Sequence, residues 1–382
     1  MEKIFRLFGK EYGSLNQAAL LLGVFSLLSQ LLGLFRDRSL AHFLGASQNL
    51  DIYYAAFRVP DFLFISIASL ASVTVLVPFV LHKMGDRSSL NEEAKKFLND
   101  VFTIFLFVLI GVAILAFIFM PSLANLVAPG FTDTAKNEVV TLSRIMLCSP
   151  ILLGLSNLFG AVTQIFRRFF SYALSPIFYN LGIIIGVVFL YPLWQEVGLA
   201  IGVVVGAFLH FLVQNFSAYR AGFVPKFQTK INFKEIKNVI LVSLPRTLGL
   251  AFNSIAIIVI ISFASYFEHG SISIFNFAYN LQTTPLGIIG LSYAVAAFPA
   301  LSKSFSTGNF QDFKNNLRIA SKAIIFWSLP VSFLFIVLRA QIVRVILGTG
   351  LFSWENTRLV AASLAIFSLS IVAQGLIALF AR

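Results

Sequence analysis

Long apolar stretches follow one another along almost the whole chain and are separated by short polar segments. Each stretch has at least the roughly 20 residues with which an α-helix crosses a bilayer. The pattern therefore predicts an all-α polytopic membrane protein with about ten transmembrane helices. The predicted spans lie, to within a few residues at each end, at 16–44, 50–82, 97–128, 137–166, 171–193, 197–219, 235–267, 271–302, 317–346 and 357–381.

Proline residues interrupt several of these spans, at Pro60, Pro150, Pro176, Pro245 and Pro285. Each proline removes a backbone N–H and leaves a carbonyl one turn earlier without its helical donor. Within a bilayer such a carbonyl must be satisfied by neighbouring protein or by a water-filled cavity. The prolines therefore predict broken helices close to a transport pathway.

Composition agrees with a membrane location. Hydrophobic residues make up 58% of the 382 residues and charged residues only 12%, whereas soluble domains carry about 25% charged residues. The single cysteine, Cys148, lies in an apolar stretch and excludes a disulfide framework. The first apolar run starts near Gln17 without a small-residue cleavage site, so we expect a retained helix rather than a signal peptide.

The net charge of +12 follows the predicted topology. If the amino terminus is cytoplasmic, most basic residues fall on the cytoplasmic side, at residues 3–10, 83–96, 167–168, 220–237, 303–322 and 382. The opposite side carries only Arg36, Arg38, Lys136, Arg339, Arg344 and Arg358. The positive-inside rule therefore predicts a cytoplasmic amino terminus. The charge is topology signal, and no nucleic-acid partner is expected.

An internal repeat is visible in three short matches. Val77–Leu81 corresponds to Phe298–Leu301 at an offset of 221, Ala56–Arg58 to Ala278–Asn280 at 222, and Gly130–Phe131 to Gly350–Leu351 at 220. Nearly constant offsets predict two homologous helical bundles, a common arrangement in transporters. We place the amino-terminal lobe at residues 1–230, with six helices, and the carboxy-terminal lobe at 231–382, with four.

The second lobe then ends at Arg382, which corresponds to about position 161 of the first. Counterparts of helices five and six are missing. We expect the chain to be a fragment of a longer protein, the alternative being a naturally reduced ten-helix form.

Charged residues inside the predicted spans are costly and therefore indicate function. The basic ones are Arg58, Arg144 and Arg246, and Asp61 follows Arg58 by three residues, with Pro60 between them. Arg58 is either a cavity guanidinium that binds phosphate in a forked geometry, tuned by Asp61, or half of a structural ion pair at a kink. Arg246 either lines a cavity or extends to the cytoplasmic face, and Arg144 either does the same or lies at an interface.

Arg36 closes the hydrophobic part of the first predicted helix and Asp51 opens the second. Substrate binding is one interpretation of both residues. Extension to the membrane surface and helix capping are the alternatives, and they are favoured for Arg38.

Motifs for enzymatic chemistry are absent from the sequence. His210 has no second ligand at metal-binding spacing, and there is no phosphate-binding loop, nucleophile elbow or zinc motif. The sequence therefore predicts neither an enzyme nor a cofactor-dependent protein. An ion gradient, the membrane potential or downhill flow must drive transport.

Several segments resemble the MurJ (MviN) lipid II flippases of the multidrug/oligosaccharidyl-lipid/polysaccharide exporter superfamily. The most specific are Ser29–Asp37, Phe43–Ala46, Asp51, Ala55–Pro60 and Val77–Pro78. Further matches are Ala128–Phe131, Arg144–Leu147, Phe298–Leu301 and Ser304–Asn309. The resemblance covers nearly the whole chain.

The resemblance implies two pseudo-symmetric helical bundles around a central cavity and alternating access. It also implies transport of lipid II from the inner to the outer leaflet of the bacterial cytoplasmic membrane for peptidoglycan synthesis. Residues matching Arg36, Asp51 and Arg58 lie around the cavity in that family, and the pyrophosphate of lipid II suits their guanidinium groups. With Asp61 and Arg246 they form our predicted substrate site. The lipid bilayer and a polyprenyl-pyrophosphate-linked glycan are the expected partners of a monomer.

The sequence departs from the family at Gln30, Phe64 and Asn280, where characterised members carry cavity arginines. Arg246 is a candidate to compensate for one of them. These losses keep two alternatives open. One is another exporter of the superfamily, for a different lipid-linked glycan or as a drug/cation antiporter that would depend on Asp51 and Asp61. The other is a non-transporting scaffold for envelope synthesis.

Overall fold

A computed structural model of the protein describes residues 15–68, 73–85 and 90–380, and within these ranges the structure is all-α. The first part contains α1 (Leu15–Leu44), α2 (Gln48–Leu63), α3 (Val73–Met84), α4 (Glu92–Val127), α5 (Asp133–Met146), α6 (Cys148–Ile165), α7 (Phe169–Ile185) and α8 (Tyr191–Arg220). The second part contains α9 (Phe233–Ala264), α10 (Ser271–Leu286), α11 (Ser292–Ser306), α12 (Phe310–Val337), α13 (Arg339–Leu347), α14 (Trp354–Ser368) and α15 (Ile371–Phe380). Lys3, Arg6, Lys10, Arg87 and Arg382, which contribute to the predicted charge asymmetry, lie outside the described residues.

The helices confirm the predicted class of polytopic membrane protein. In the described ranges, seven helical stretches are long and apolar enough to cross a bilayer, or eight if α14 and α15, bent by 46°, form one broken span. The longest stretch, Phe169–Arg220, leaves helical geometry at Trp194 and Gln195. The two spans predicted at 171–193 and 197–219 are thus separated there. The predicted number of ten spans is therefore approximate.

Three π-helical turns interrupt the helices, at Phe64–Ala68 after α2, Gly186–Leu190 after α7 and Gly287–Leu291 after α10. Such turns are rare and frequently mark functional positions in helices. The sequence separation between the first and third turns is close to the repeat offset. These two turns therefore occupy corresponding parts of the two predicted bundles.

Two compact units divide the chain. The first consists of the described residues of Met1–Ser39 and Asp51–Glu268. Its core includes the fully buried side chains of Leu76, Phe97, Leu98 and Phe159. The helices α7 and α8 approach closely along facing glycines, since a Cβ atom at Gly182 would collide with the backbone of Gly206. Small residues allow this close packing of membrane helices.

The second unit consists of Leu40–Leu50 and the described residues of His269–Arg382. The backbone N–H of Leu351 donates to the carbonyl of His42 at 3.0 Å, and His42 Nδ1 lies 2.9 Å from Thr349 Oγ1. Gly350, with φ of +56°, sits against the His42 carbonyl where a Cβ atom would not fit. This contact fixes the end of α1 to the loop after α13.

The contact-based units differ from the lobes predicted at 1–230 and 231–382. The helix α9 belongs to the first unit and Leu40–Leu50 to the second. The lobe division rests on the sequence repeat rather than on contacts and stays a prediction.

Candidate functional site

Arg36 lies on α1 and is held from two sides. Its Nε and Nη2 groups donate to Asp37 Oδ1 at 3.0 and 2.8 Å, and its Nη1 group donates to Asn180 Oδ1 at 3.2 Å. The Asp37 side chain is almost fully buried, whereas 24% of the Arg36 side chain is exposed. A carboxylate and an amide compensate for the hydration that the Arg36 guanidinium loses in this partly buried position.

Asn180 reaches this site from α7 and is itself anchored. Its Nδ2 group donates to the Pro176 carbonyl one turn earlier, at 3.1 Å, and lies 3.4 Å from Ser29 Oγ on α1. Asn180 is not among the site residues predicted from the sequence. The available signal was a buried-type amide one turn after a proline in a long apolar helix, which is an unusual place for a polar side chain.

Arg58 and Asp61 lie three residues apart on α2, on the same face of the helix. Both Arg58 and Arg36 interact electrostatically with the Asp61 carboxylate. Three of the five predicted site residues, Arg36, Arg58 and Asp61, therefore lie within electrostatic range of one another. Buried Tyr53 and half-buried Tyr179 lie in the same neighbourhood.

The other two predicted site residues, Asp51 and Arg246, lie outside this cluster. Asp51 is buried in the first turn of α2, on the same face as Arg58 but two helical turns away, roughly 10 Å along the axis. That position agrees with stabilisation of the helix amino terminus. Arg246 is exposed on α9 and belongs to the first unit.

The remaining polar candidates have local structural explanations. Arg144 stacks on the Phe117 ring, 4.5 Å from its centroid, and its Nε group donates to the Phe117 carbonyl at 3.2 Å. His210 Nδ1 lies 2.7 Å from the buried hydroxyl of Ser156. Arg38 is half-buried near the end of α1.

The positions that lack the family arginines are neutral but still polar or aromatic. Gln30 is half-buried on α1, and Phe64 opens the π-helical turn after α2. Asn280 is half-buried on α10, in the second unit. The cationic character of the cluster therefore comes from Arg36 and Arg58.

Two guanidinium groups beside carboxylates supply the donors that anion recognition needs. Guanidinium groups recognise phosphate oxygens through paired hydrogen bonds, and their charge persists at any physiological pH. The arrangement contains groups for binding and orienting a phosphate.

Comparisons with known proteins agree on one family. A family model described as "Lipid II flippase MurJ" matches residues 40–382. A probable lipid II flippase MurJ of Buchnera aphidicola subsp. Schizaphis graminum is 27% identical over 356 residues, covering 92% of this chain and 68% of that protein. A probable lipid II flippase MurJ of Rhizobium tropici is 27% identical over 372 residues, covering 95% of this chain and 69% of that protein.

Solved structures give the same result. A lipid II flippase MurJ in an inward closed conformation superposes with a TM-score of 0.81 at 26% identity, covering 95% of this chain and 75% of that chain. An inward-facing multidrug resistance MATE family transporter of the MOP superfamily superposes with a TM-score of 0.68 at 16% identity, covering 95% and 85%. The second likeness shows the shared fold alone.

Proposed function

The chain belongs to the lipid II flippase MurJ family, and from this premise we propose that it carries lipid II from the inner to the outer leaflet of the cytoplasmic membrane. The observation that supports this most directly is the Arg36, Arg58 and Asp61 cluster in the apolar helices α1 and α2. Lipid II joins a polyprenyl tail to a glycan through pyrophosphate, and the pyrophosphate is the part that guanidinium groups recognise.

Charge balance explains how the cluster would bind and release this ligand. Asp61 partly neutralises Arg58 and Arg36 when no anion is bound. A pyrophosphate carries more negative charge than one carboxylate and competes successfully for both guanidinium groups. The Asp61 carboxylate stays close enough to pair with both guanidinium groups again when the pyrophosphate leaves. Asp61 therefore favours reversible binding, which a transporter needs because its ligand must leave on the other side.

The route across the membrane is alternating access, in which the ligand site opens to one leaflet at a time. The protein is a multi-pass membrane protein. We propose that its amino terminus is cytoplasmic, that it acts as a monomer and that the membrane potential contributes the driving force. An anionic ligand moved outward is favoured by a potential that is negative inside.

Complementation tests the proposal. The gene is expressed in a bacterium depleted of its own lipid II flippase, and survival is scored for the unmodified protein and for Arg36→Ala and Arg58→Ala. A hydrogen bond to a charged group is worth about 1.5–3 kcal/mol, so each variant should bind lipid II roughly 10- to 100-fold more weakly. We expect rescue by the unmodified protein and loss of rescue by both variants.

Arg358→Ala is the matched control, because this arginine is 73% exposed and pairs only with Glu355 among the ion pairs described. It should rescue normally. Rescue that survives both Arg36→Ala and Arg58→Ala would show that the cluster does not bind the substrate. Failure of the unmodified protein, with export of a different glycan, would contradict lipid II as the substrate.

A further inference from the structure

We infer that Asn180 is a positioning residue for ligand binding, which acts by holding the Arg36 guanidinium in one orientation. This inference rests on the proposed function and adds a residue from α7 to a site otherwise built from α1 and α2. The evidence is a chain of contacts that links the backbone of α7, the Asn180 amide and Arg36.

The Arg36 guanidinium has donors left for a ligand. A guanidinium group has five N–H donors in one plane. Among the contacts of the described residues, Asp37 Oδ1 accepts one from Nε and one from Nη2, and Asn180 Oδ1 accepts one from Nη1. One donor on Nη1 and one on Nη2 remain. A neighbouring pair of N–H groups is the geometry that binds two phosphate oxygens at once.

Two contacts hold the Arg36 guanidinium in one orientation. Asp37 alone would hold the guanidinium along one edge and allow it to swing about that contact. Asn180 adds a second contact from another helix, and its own amide is fixed by the Pro176 carbonyl and Ser29. Ser29 precedes Arg36 by seven residues, which places both on one face of α1. Asn180 therefore contacts α1 at two successive places on that face.

The neutral charge of Asn180 matters for binding an anionic ligand. Asp37 already pairs with Arg36. A second carboxylate at position 180 would leave the group with a net negative charge and repel an anionic ligand. A neutral amide orients the guanidinium without adding that charge. The neutral Asn180 side chain can therefore orient Arg36 without reducing the affinity of Arg36 for an anion.

The test measures lipid II binding to the purified full chain in nanodiscs, with apparent melting temperature recorded for every variant. Asn180→Leu keeps the side-chain size and removes the acceptor. We expect it to weaken lipid II binding about 10-fold, because the orienting hydrogen bond to a charged group is lost. In an Arg36→Ala background, Asn180→Leu should change the affinity by less than about 2-fold, since the group that it orients is gone.

Asn276→Leu is the matched control. Asn276 is also buried, also donates its amide to a carbonyl one turn earlier, here Ile272 at 2.7 Å, and lies in the second unit. It should lower the melting temperature without changing lipid II affinity. If Asn180→Leu does not fold, Asn180→Asp replaces it. That variant keeps an acceptor facing Arg36, and its added negative charge should weaken binding about 10-fold, again only when Arg36 is present.

The outcomes separate the inference from the proposed function. If Arg36→Ala abolishes binding while Asn180→Leu and Asn180→Asp bind normally, Asn180 has no positioning role and the proposed function stands. An equal loss with and without Arg36 would likewise overturn the inference, because Asn180 would then act through the fold. If Arg36→Ala binds lipid II normally, both fail.

Discussion

At the scale of single residues, two consecutive side chains of α5 replace hydrogen bonds that prolines remove from other helices. Pro60 cannot donate to the Ala56 carbonyl, and Ser143 Oγ donates to it at 3.0 Å. Pro121 cannot donate to the Phe117 carbonyl, and Arg144 Nε donates to it at 3.2 Å. The sequence left two ways to satisfy the carbonyl freed by Pro60, a neighbouring residue or a water-filled cavity, and the structure shows a neighbouring residue, Ser143.

Pro150 follows the same principle within its own turn. Ser149 Oγ donates to the Met146 carbonyl at 2.8 Å, which is the carbonyl that Pro150 leaves without a backbone donor. Both serines are buried. These contacts let the helices keep their prolines without unsatisfied carbonyls in an apolar environment.

Arg144 therefore has a structural role that a double substitution can reveal. Arg144→Met should lower the free energy of unfolding by about 1–3 kcal/mol, because a hydrogen bond to a charged donor and a cation–π contact are lost. In a Pro121→Ala background the new N–H of residue 121 can donate to Phe117, so the same substitution should cost clearly less. Denaturant unfolding in detergent measures both values.

Arg358→Met serves as the control for loss of an exposed arginine and should cost less than about 0.5 kcal/mol. An equal cost of Arg144→Met in both backgrounds would show that the Phe117 carbonyl is not what Arg144 stabilises.

At the scale of elements, the linker between α8 and α9 is fastened to α4. Three linker N–H groups donate to α4 side chains: Lys226 to Asn99 Oδ1 at 2.9 Å, Gln228 to Thr103 Oγ1 at 3.0 Å, and Asn232 to Asp100 Oδ2 at 3.2 Å. All three acceptor residues are buried. These backbone hydrogen bonds hold the basic linker against α4.

Lys83 at the end of α3 strengthens the same region. Its ammonium group pairs with Glu93 on α4 and with Glu235 on α9, both at 3.0 Å. Burial acts to lower the pKa of Lys83, but hydrogen bonds and ion pairs with Glu235 and Glu93 outweigh it and raise the pKa above its usual value. Lys83 thus stays charged across the physiological range and joins three helices.

Limited trypsin digestion can test the linker contacts, because Lys226 and Lys230 are cleavage sites within it. Asn99→Leu combined with Thr103→Val removes two acceptors, each worth about 0.5–1.5 kcal/mol. We expect cleavage at these lysines to become about 5- to 150-fold faster, in proportion to the population of the released linker. Peptide mass spectrometry identifies the cut sites.

Thr141→Val is the control, since Thr141 is exposed and its hydroxyl donates only to the Asn137 carbonyl of its own helix among the contacts described. Its cleavage rate should match that of the unmodified protein. Unchanged cleavage in the double variant would mean that the linker is held by other contacts.

At the scale of the whole molecule, the charge asymmetry makes the orientation in the membrane testable. The helix α4 has 36 residues and is roughly 54 Å long, which is enough for its two ends to reach opposite sides of a bilayer. Lys96 lies near its start, and Thr134 follows its end by a short turn. Both positions lie outside the most apolar part of α4.

Single cysteines at these positions, in a Cys148→Ser background, report the side that each occupies. A membrane-impermeant thiol reagent added to intact cells should label Thr134→Cys and should label Lys96→Cys only after the inner membrane is opened. The positive-inside rule gives this expectation. The reversed pattern would place the amino terminus outside and refute the predicted topology.

The sequence by itself determined the class of protein, the approximate helices and the charged positions worth attention. It could do so because hydropathy, prolines and intramembrane charge are properties of single residues and short windows. Arg58 and Asp61 were identified in this way, and Arg36 lies within electrostatic range of Asp61. That these residues bind the substrate stays a prediction.

Only the tertiary structure decided which distant residues complete these positions. Asn180 orients Arg36 from 144 residues away, Ser143 donates to Ala56 from 87 residues away, and α9 packs in the first unit despite the repeat boundary before it. Such pairings depend on which helix faces are brought together, and the apolar surface that drives packing in a membrane is nearly the same on every helix. The sequence pattern therefore shows where a polar group lies, and the packing alone shows what it contacts.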